Sequence, residues 1–133
     1  MTPSTTTHLN ARQFYTIALE TKALCRKYKV PLIINDRVDI ALAVQADGVH
    51  LGTDDLPISV ARTLLPKGTI IGVSVNSPEE ARKAVEDGAD YVGVSAIWET
   101  KSKNLVKPVI GVRGVGPILD ALGDTKIKAV AIG

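Results

Sequence analysis

The chain has 133 residues, the usual size of one domain with a single buried core. Hydrophobic residues make up 45% and charged residues 23%, ordinary values that exclude a disordered or collagen-like polymer. The formal net charge is only +2, its charges are spread along the chain, and aromatic residues are 4%. This balance leaves no electrostatic or stacking case for nucleic acid or an anionic membrane as a partner.

The single cysteine and the first residues bear on the compartment. Cys25 excludes an intramolecular disulfide, fits a reducing compartment, and lies in an apolar helical stripe that predicts a buried structural thiol. Residues 1–9 lack the basic start and apolar run of a secretory signal, although a threonine-rich, acid-free start leaves an organellar presequence open. No stretch approaches the ~20 apolar residues of a membrane span. We expect a cytoplasmic protein with an unstructured leader at 1–9 and one partial domain at 10–133.

Short β-branched runs alternate along the chain with segments of helical period. The runs predict five strands, at 30–34, 48–51, 69–73, 91–94 and 128–132. Apolar residues on both faces of most runs predict a parallel sheet that is covered on both sides. The strand starts repeat about every twenty residues, apart from one long insertion at 98–114.

Helices are predicted between the strands. The first begins near Asn10 and should dock through one stripe, made of Phe14, Ile17, Ala18, Leu24, Cys25 and Tyr28. Ser77, Pro78 and Glu80 have the spacing of a capping box, and Gly88 closes that helix. Further helices are expected at 38–45, 57–65 and 115–122.

Parallel strands joined by single helices suit either a doubly wound sheet or an α/β barrel. No Gly-x-Gly-x-x-Gly fingerprint of a dinucleotide fold opens a helix after a strand. Polar residues instead follow the ends of several strands, as they do in the active sites of barrels: Asn35, Asp36, Thr53, Asp54, Asp55, Ser74, Thr100, Ser102 and Lys103. The pattern favours an α/β barrel.

Asp36 and Asp55 are the sharpest chemical candidates, because two carboxylates from neighbouring strand ends suit one Mg²⁺. Capping is the alternative: Asp36 would cap a helix from residue 37, and Asp54 or Asp55 a helix near Pro57. Lys103 could neutralise a diphosphate or lie in a solvated loop. His50 is read as a satisfied interior histidine rather than a general base.

Five segments together resemble thiamine phosphate synthase. They are Val-Pro-Leu-Ile-Ile-Asn-Asp-Arg-Val-Asp at 30–39, Ala-Asp-Gly-Val-His-Leu-Gly-Thr-Asp-Asp-Leu-Pro at 46–57, Ile-Ile-Gly-Val-Ser at 70–74, Gly-Ala-Asp-Tyr-Val-Gly-Val at 88–94 and Thr-Lys-Ser-Lys at 100–103. Their order and spacing hold from about residue 12 to the end of the chain. Residues 107–116 look most like the bifunctional form, which is fused to a hydroxyethylthiazole kinase.

The resemblance implies a TIM barrel, (β/α)₈, of which this chain carries about five of the eight strands. Such enzymes join hydroxymethylpyrimidine diphosphate to hydroxyethylthiazole phosphate and release diphosphate, and the C–O bond to diphosphate breaks first. Carried over by residue, the resemblance implies that Asp36 and Asp55 bind Mg²⁺ and form the catalytic set with Ser74 and Lys103. Asn35 and Lys103 would contact the diphosphate, Ser74 would lie beside the reacting groups, and the thiazole side would be held by Thr100 and Ser102.

The chain departs from the family at both ends. Residues 1–9 lack the Gln-x-Arg-x-Lys motif, and the sequence ends at Gly133 before the last strand, so we expect a chain truncated at both ends. Two functions stay open: a synthase acting on these small-molecule substrates, and a non-catalytic remnant or phosphate-binding regulatory module of the same fold. The expected partner arrangement is a homo-oligomer or a fusion to a thiazole kinase domain, with neither nucleic acid nor membrane involved.

Overall fold

In the computed structural model, which describes residues 9–101 and 107–133, helices and strands alternate throughout. The helices are α1 (Ala11–Lys27), α2 (Val38–Val44), α3 (Ile58–Leu64), α4 (Pro78–Glu86) and α5 (Gly111–Leu122). The strands are β1 (Ile33–Asn35), β2 (Gly48–Leu51), β3 (Ile70–Val75), β4 (Tyr91–Val94) and β5 (Lys128–Ala131). Each predicted strand is therefore present. Residues 1–8 lie outside the described part, so the division into a leader and a domain stays a prediction.

The five strands form one parallel sheet in chain order, β1-β2-β3-β4-β5. Asn35 pairs with His50, His50 with Gly72, and Ser74 with Gly93. All five strands therefore present their carboxyl ends at the same edge of the sheet. The predicted α/β class with parallel strands is confirmed, and within the described residues the sheet is an arc that does not close into a barrel.

The two faces of the sheet differ. One face carries Val49, Ile71 and Val92, which are fully buried and share one core cluster with residues of all five helices. On the other face, Asn35, Lys128 and Val130 are exposed. The prediction of a sheet covered on both sides is therefore wrong for the described residues. This second face corresponds to the interior face of an α/β barrel. Such a face is covered by the other strands only when the barrel closes.

Helix α1 docks through a narrower stripe than predicted. Ala18 is buried and Phe14 and Cys25 are half-buried against the core, so the predicted buried thiol is only partly covered. Leu24 and Tyr28 are 58% and 67% exposed. A periodic apolar stripe shows that a surface can be buried, but it does not show whether a partner is present.

Helix α5 begins at Gly111, four residues before the predicted start at 115. Gly111 and Gly114 lie in its first turn, and two glycines argue against a helix by propensity alone. Backbone bonds from the Ile110 N–H to Ala96 O and from the Gly111 N–H to Ile97 O hold the entry of the helix, and Ile118 is buried. Tertiary contacts therefore override the weak local preference.

The start of α4 is capped as predicted on one side only. Ser77 Oγ accepts a hydrogen bond from the Glu80 N–H at 3.2 Å. The Glu80 carboxylate, however, accepts from the Asn76 N–H at 2.8 Å and not from Ser77. The predicted capping box is thus displaced by one residue, and Gly88 follows the helix with φ 81° as expected for a closing glycine. Among the described residues, no helix has both the length and the apolar character needed to cross a membrane.

Candidate active site at the carboxyl ends of the strands

Asp36 follows β1 directly and lies beside the end of β2. Its N–H donates to His50 O at 2.8 Å, which extends the pairing of the two strands by one residue. Its φ of 63° is in the left-handed region, which aspartate tolerates better than most residues. A non-glycine residue held in this conformation at a strand end is typical of functional sites in α/β folds.

Asp55 lies in the loop that follows β2. Its Oδ2 accepts a hydrogen bond from the Gly52 N–H at 2.6 Å, and its own N–H donates to Gly52 O at 3.3 Å. These two bonds fold the loop back, so that the carboxylate lies at the carboxyl end of β2. Asp36 and Asp55 therefore come from neighbouring strands and lie at the same edge of the sheet.

The capping alternative for these aspartates is not supported. The N-cap of α2 is Arg37 and that of α3 is Pro57, and neither helix has a side-chain cap hydrogen bond. Asp36 lies one residue before the first of these caps, and the Asp55 carboxylate is bonded to Gly52. Neither aspartate is therefore the N-cap residue that the alternative predicted, and the Asp55 carboxylate is held within its own loop.

The pair fits Mg²⁺ of the kind that works with phosphate substrates. No group of three or more His, Cys, Asp or Glu residues that could hold a metal occurs within 9–101 and 107–133. Mg²⁺ at phosphate-transfer sites is commonly held by one or two carboxylates, with substrate phosphates and water as the remaining ligands. Asp36 and Asp55 supply this incomplete set, which would require a phosphorylated substrate to complete it.

Ser74, on β3, is joined to two residues that the sequence reading did not assign to the site. His50 Nε2 lies 2.9 Å from Ser74 Oγ, and His50 Nδ1 lies 2.8 Å from the Tyr91 hydroxyl. The prediction of a satisfied interior histidine is confirmed, because both ring nitrogens are hydrogen-bonded. The register of β2, β3 and β4, which a single sequence does not reveal, is what brings the three side chains together.

Two glycines make room for these rings. A Cβ at Gly72 would lie 2.0 Å from Tyr91 Cζ, and a Cβ at Gly93 would lie 3.2 Å from His50 Cε1. Burial raises the pKa of Tyr91, so its hydroxyl stays protonated through the neutral range. Small residues recur on this face of β3 and β4, at Gly72, Ser74 and Gly93. This spacing of small residues is the signal in the sequence that could have indicated room for two aromatic rings.

A cavity of about 340 Å³ opens at the carboxyl ends of β2 and β3. Its lining includes Asp55 and Ser74, together with Gly52, Thr53 and Glu80. The rest of the lining includes Val73 and Val75 on the helix-covered face and Lys83 and Asp87 at the end of α4. The cavity therefore lies beside Asp55 between α3 and α4, whereas the Ser74 hydroxyl is on the open face with His50. Asn35, Asp36 and Thr100 are not among its lining residues, although Asn35 and Asp36 lie at the same edge of the sheet.

The segment after β4 contains the remaining predicted residues. Thr100 is half-buried, whereas Ser102 and Lys103 lie outside the described residues. Asn76 Nδ2 donates to Ser95 O at 2.8 Å and to Pro108 O at 3.3 Å, and Lys107 forms an ion pair with Glu80. These contacts tie both sides of the segment to the start of α4. Sequence reasoning missed this anchoring role of Asn76 and Glu80.

Known proteins resemble this chain over almost its full length. The thiamine-phosphate synthase of Caldanaerobacter subterraneus is 51% identical over 125 residues, which cover 94% of this chain and 56% of that protein. The one from Alkaliphilus oremlandii is 57% identical over 97 residues, covering 73% and 46%. A Schizosaccharomyces pombe protein described as a probable thiamine biosynthetic bifunctional enzyme is 47% identical over 112 residues, covering 84% and 22%.

A solved structure extends the likeness to the fold. The thiamine phosphate pyrophosphorylase from Pyrococcus furiosus matches with a TM-score of 0.80 and 42% identity, over 94% of this chain and 57% of that one. This confirms the TIM-barrel family of the fold, and the chain spans about half the length of the curated synthases that it matches. The thiamine monophosphate synthase family model matches residues 5–133. The chain therefore belongs to the thiamine monophosphate synthase family, the family of thiamine biosynthesis that its motifs predicted.

Proposed function

We propose that this chain carries the magnesium and leaving-group side of a thiamine phosphate synthase site. The reaction joins hydroxymethylpyrimidine diphosphate to hydroxyethylthiazole phosphate and releases diphosphate. The observation that supports the proposal is the position of Asp36, Asp55 and Ser74 at or near the carboxyl ends of three consecutive parallel strands. Membership of the family supplies the reaction class.

The chemistry needs stabilisation of a departing anion more than it needs a general base. The C–O bond breaks with its electron pair on diphosphate, and the thiazole nitrogen then supplies the pair that forms the new C–N bond. Mg²⁺, held by Asp36 and Asp55, would neutralise charge that grows on the diphosphate. The left-handed backbone of Asp36 and the Asp55–Gly52 hydrogen bond orient the two carboxylates before substrate arrives.

The other site residues divide between the two substrates. Asn35 ends β1 beside Asp36 and is exposed, so its amide can contact the diphosphate. Ser74 lies near the carboxyl end of β3 with its hydroxyl on the open face, and would lie next to the breaking bond. Lys103 is proposed as a second diphosphate contact, and Thr100 and Ser102 as contacts to the thiazole phosphate. Support for these three roles comes from the family motif at 100–103.

We place this activity in the cytoplasm, in keeping with the single cysteine and the small-molecule substrates. The open face of the sheet exposes Val130 at 49% and Ile132 at 45%. Further strands of a closed barrel would cover this face, and the partner arrangement that we propose is a homo-oligomer or a fusion to a thiazole kinase domain. The S. pombe bifunctional relative supports the fused arrangement.

The test is product formation by the purified full chain with both substrates and Mg²⁺. We expect thiamine phosphate and diphosphate in equal amounts, and loss of both when Mg²⁺ is chelated. No product above background would contradict synthase activity. Calorimetry with hydroxymethylpyrimidine diphosphate then separates the alternative, because a phosphate-binding module would bind it equally well before and after Asp36→Ala.

A further inference from the structure

A hydrogen-bonded chain of side chains crosses three strands on the open face of the sheet. Tyr91 on β4 contacts His50 Nδ1 on β2, and His50 Nε2 contacts Ser74 Oγ on β3. Gly72 pairs with both His50 and Tyr91 in the sheet, and its lack of a side chain lets the two rings meet above it. The chain ends at Ser74 near the carboxyl end of β3, the edge of the sheet that also carries Asp36 and Asp55.

The direction of the protons follows from the two hydroxyls. A phenol is a stronger donor and a weaker acceptor than an alkyl hydroxyl, because its lone pair is delocalised into the ring. Burial raises the pKa of Tyr91 and keeps its O–H, and the 2.8 Å contact lets that O–H donate to Nδ1 of His50. With Tyr91 as the donor, the Nε2–H tautomer of His50 would donate to Ser74 Oγ across the 2.9 Å contact. The Ser74 proton is consequently turned away from the imidazole.

We propose that His50 and Tyr91 are positioning residues that fix Ser74 as a hydrogen-bond donor toward the leaving diphosphate. The proposal rests on the proposed function, since it gives this donor its acceptor. A donor that is aimed before the reaction begins costs no reorganisation when negative charge develops. A freely rotating hydroxyl would divide its time between the imidazole and the substrate. His50 and Tyr91 therefore act through Ser74 and exchange no proton with the substrate.

The first experiment reads the tautomer directly and needs no activity. The chain has two histidines, His8 and His50, so long-range ¹H–¹⁵N spectra of the full chain resolve each ring, and His50→Gln assigns them. We expect the Nε2–H tautomer at His50 in the wild type and in Ser74→Ala. Tyr91→Phe removes the donor to Nδ1 and should yield a mixture of tautomers. A wild-type Nδ1–H tautomer, or no change in Tyr91→Phe, would overturn the proposal.

The second experiment separates positioning from substrate binding. Tyr91→Phe keeps the ring over Gly72 and should lower kcat about tenfold with little change in KM, and Ser74→Ala should lower it about 100-fold. Tyr15→Phe, on the exposed side of α1, is the matched control and should leave both constants unchanged. Rescue of His50→Ala by His50→Gln, whose amide can both accept and donate, is the expected sign of orientation.

The two experiments distinguish failure of the proposed function from failure of the positioning role. If the wild type forms no product, the proposed function fails while the tautomer spectra still decide whether Tyr91 and His50 orient Ser74. If product forms but Tyr91→Phe raises KM and leaves kcat unchanged, the residues shape the cavity and the positioning role is wrong. Thermal melting of each variant shows whether a loss of activity reflects unfolding.

Discussion

Aspartates at the two ends of the strands do different work. At the amino ends, Asp47 Oδ2 accepts from the Leu32 N–H and Asp90 Oδ2 accepts from the Ile71 N–H, each at 2.7 Å. Each of these carboxylates thus serves the backbone of the neighbouring strand. At the carboxyl ends, Asp36 follows β1 directly and Asp55 Oδ2 accepts from within its own loop, from the Gly52 N–H at 2.6 Å. The same residue type stabilises the sheet at one edge and is proposed to bind Mg²⁺ at the other.

The amino edge is reinforced by an arginine that has no counterpart among the described residues of the carboxyl edge. Arg62 donates to Thr69 O at 2.6 Å, to Gly88 O at 3.0 Å and to Asp90 Oδ2 at 2.5 Å. These bonds connect α3 to the entrances of β3 and β4. The comparison predicts that changes to the amino-edge aspartates lower the free energy of unfolding, whereas changes to Asp36 and Asp55 lower activity.

The largest effect should come from the same substitution made at each edge. Asp55→Asn keeps an oxygen for the Gly52 N–H but removes the charge that would hold Mg²⁺, so product formation should fall about 100-fold. Asp47→Asn likewise keeps an oxygen for the Leu32 N–H. It should leave activity unchanged and cost about 1 kcal/mol of unfolding free energy. Equal losses of activity in the two variants would contradict the division between the edges.

The next effect concerns space at the amino edge. A Cβ at Gly48, the first residue of β2, would lie 2.5 Å from Ile70 O, a backbone atom that cannot turn away. Gly48→Ala should therefore lower the free energy of unfolding by about 3 kcal/mol, measured by urea denaturation. Gly116→Ala is the control, because nothing lies within 4 Å of its Cβ position in α5. That variant should change the free energy of unfolding by no more than about 1 kcal/mol, because the helix propensity of alanine is offset by crowding against the ring of Pro117 that follows it.

A somewhat smaller loss is expected when an amino-edge carboxylate is removed. Asp90→Ala leaves the N–H of the buried Ile71 without its acceptor and takes away the partner of Arg62, at a cost of about 2 kcal/mol. Glu79→Ala removes the exposed ion pair with Arg82 and should change stability by about 0.5 kcal/mol or less. Similar urea midpoints for the two variants would show that Asp90 acts only as a surface charge.

The local sequence pattern predicted the strands and the edge of the sheet at which the candidate site lies. The β-branched runs predicted every strand, and the polar residues that follow them predicted the edge where Asp36, Asp55 and Ser74 lie. The His50–Tyr91 contact could not be predicted, because alternation within a strand does not reveal the stagger between strands. The exposure of Leu24 and Tyr28 was missed for a related reason: an amphipathic pattern does not show which part of a stripe has a partner. The sequence therefore predicted the helices and strands better than it predicted the contacts between them.

The smallest effect tests a charge pair at the carboxyl edge. Arg37 Nε and Nη2 donate to the two Asp39 oxygens at 2.8 and 2.6 Å, and these hydrogen bonds lower the pKa of Asp39. Because the native state holds the Asp39 proton less tightly than the unfolded state, the pair stabilises the protein above the unfolded pKa of about 4. It loses this contribution as the pH falls through the native pKa of Asp39.

Arg37→Ala should therefore destabilise the chain slightly at pH 7, by less than Asp90→Ala does, and the difference from wild type should vanish in acid. Urea midpoints at pH 7 and pH 3 measure it, and a difference that grows in acid would show that Arg37 stabilises the fold by some route other than Asp39. The side chains are 39% and 63% exposed, so solvent screens the pair and keeps the effect the smallest of the set.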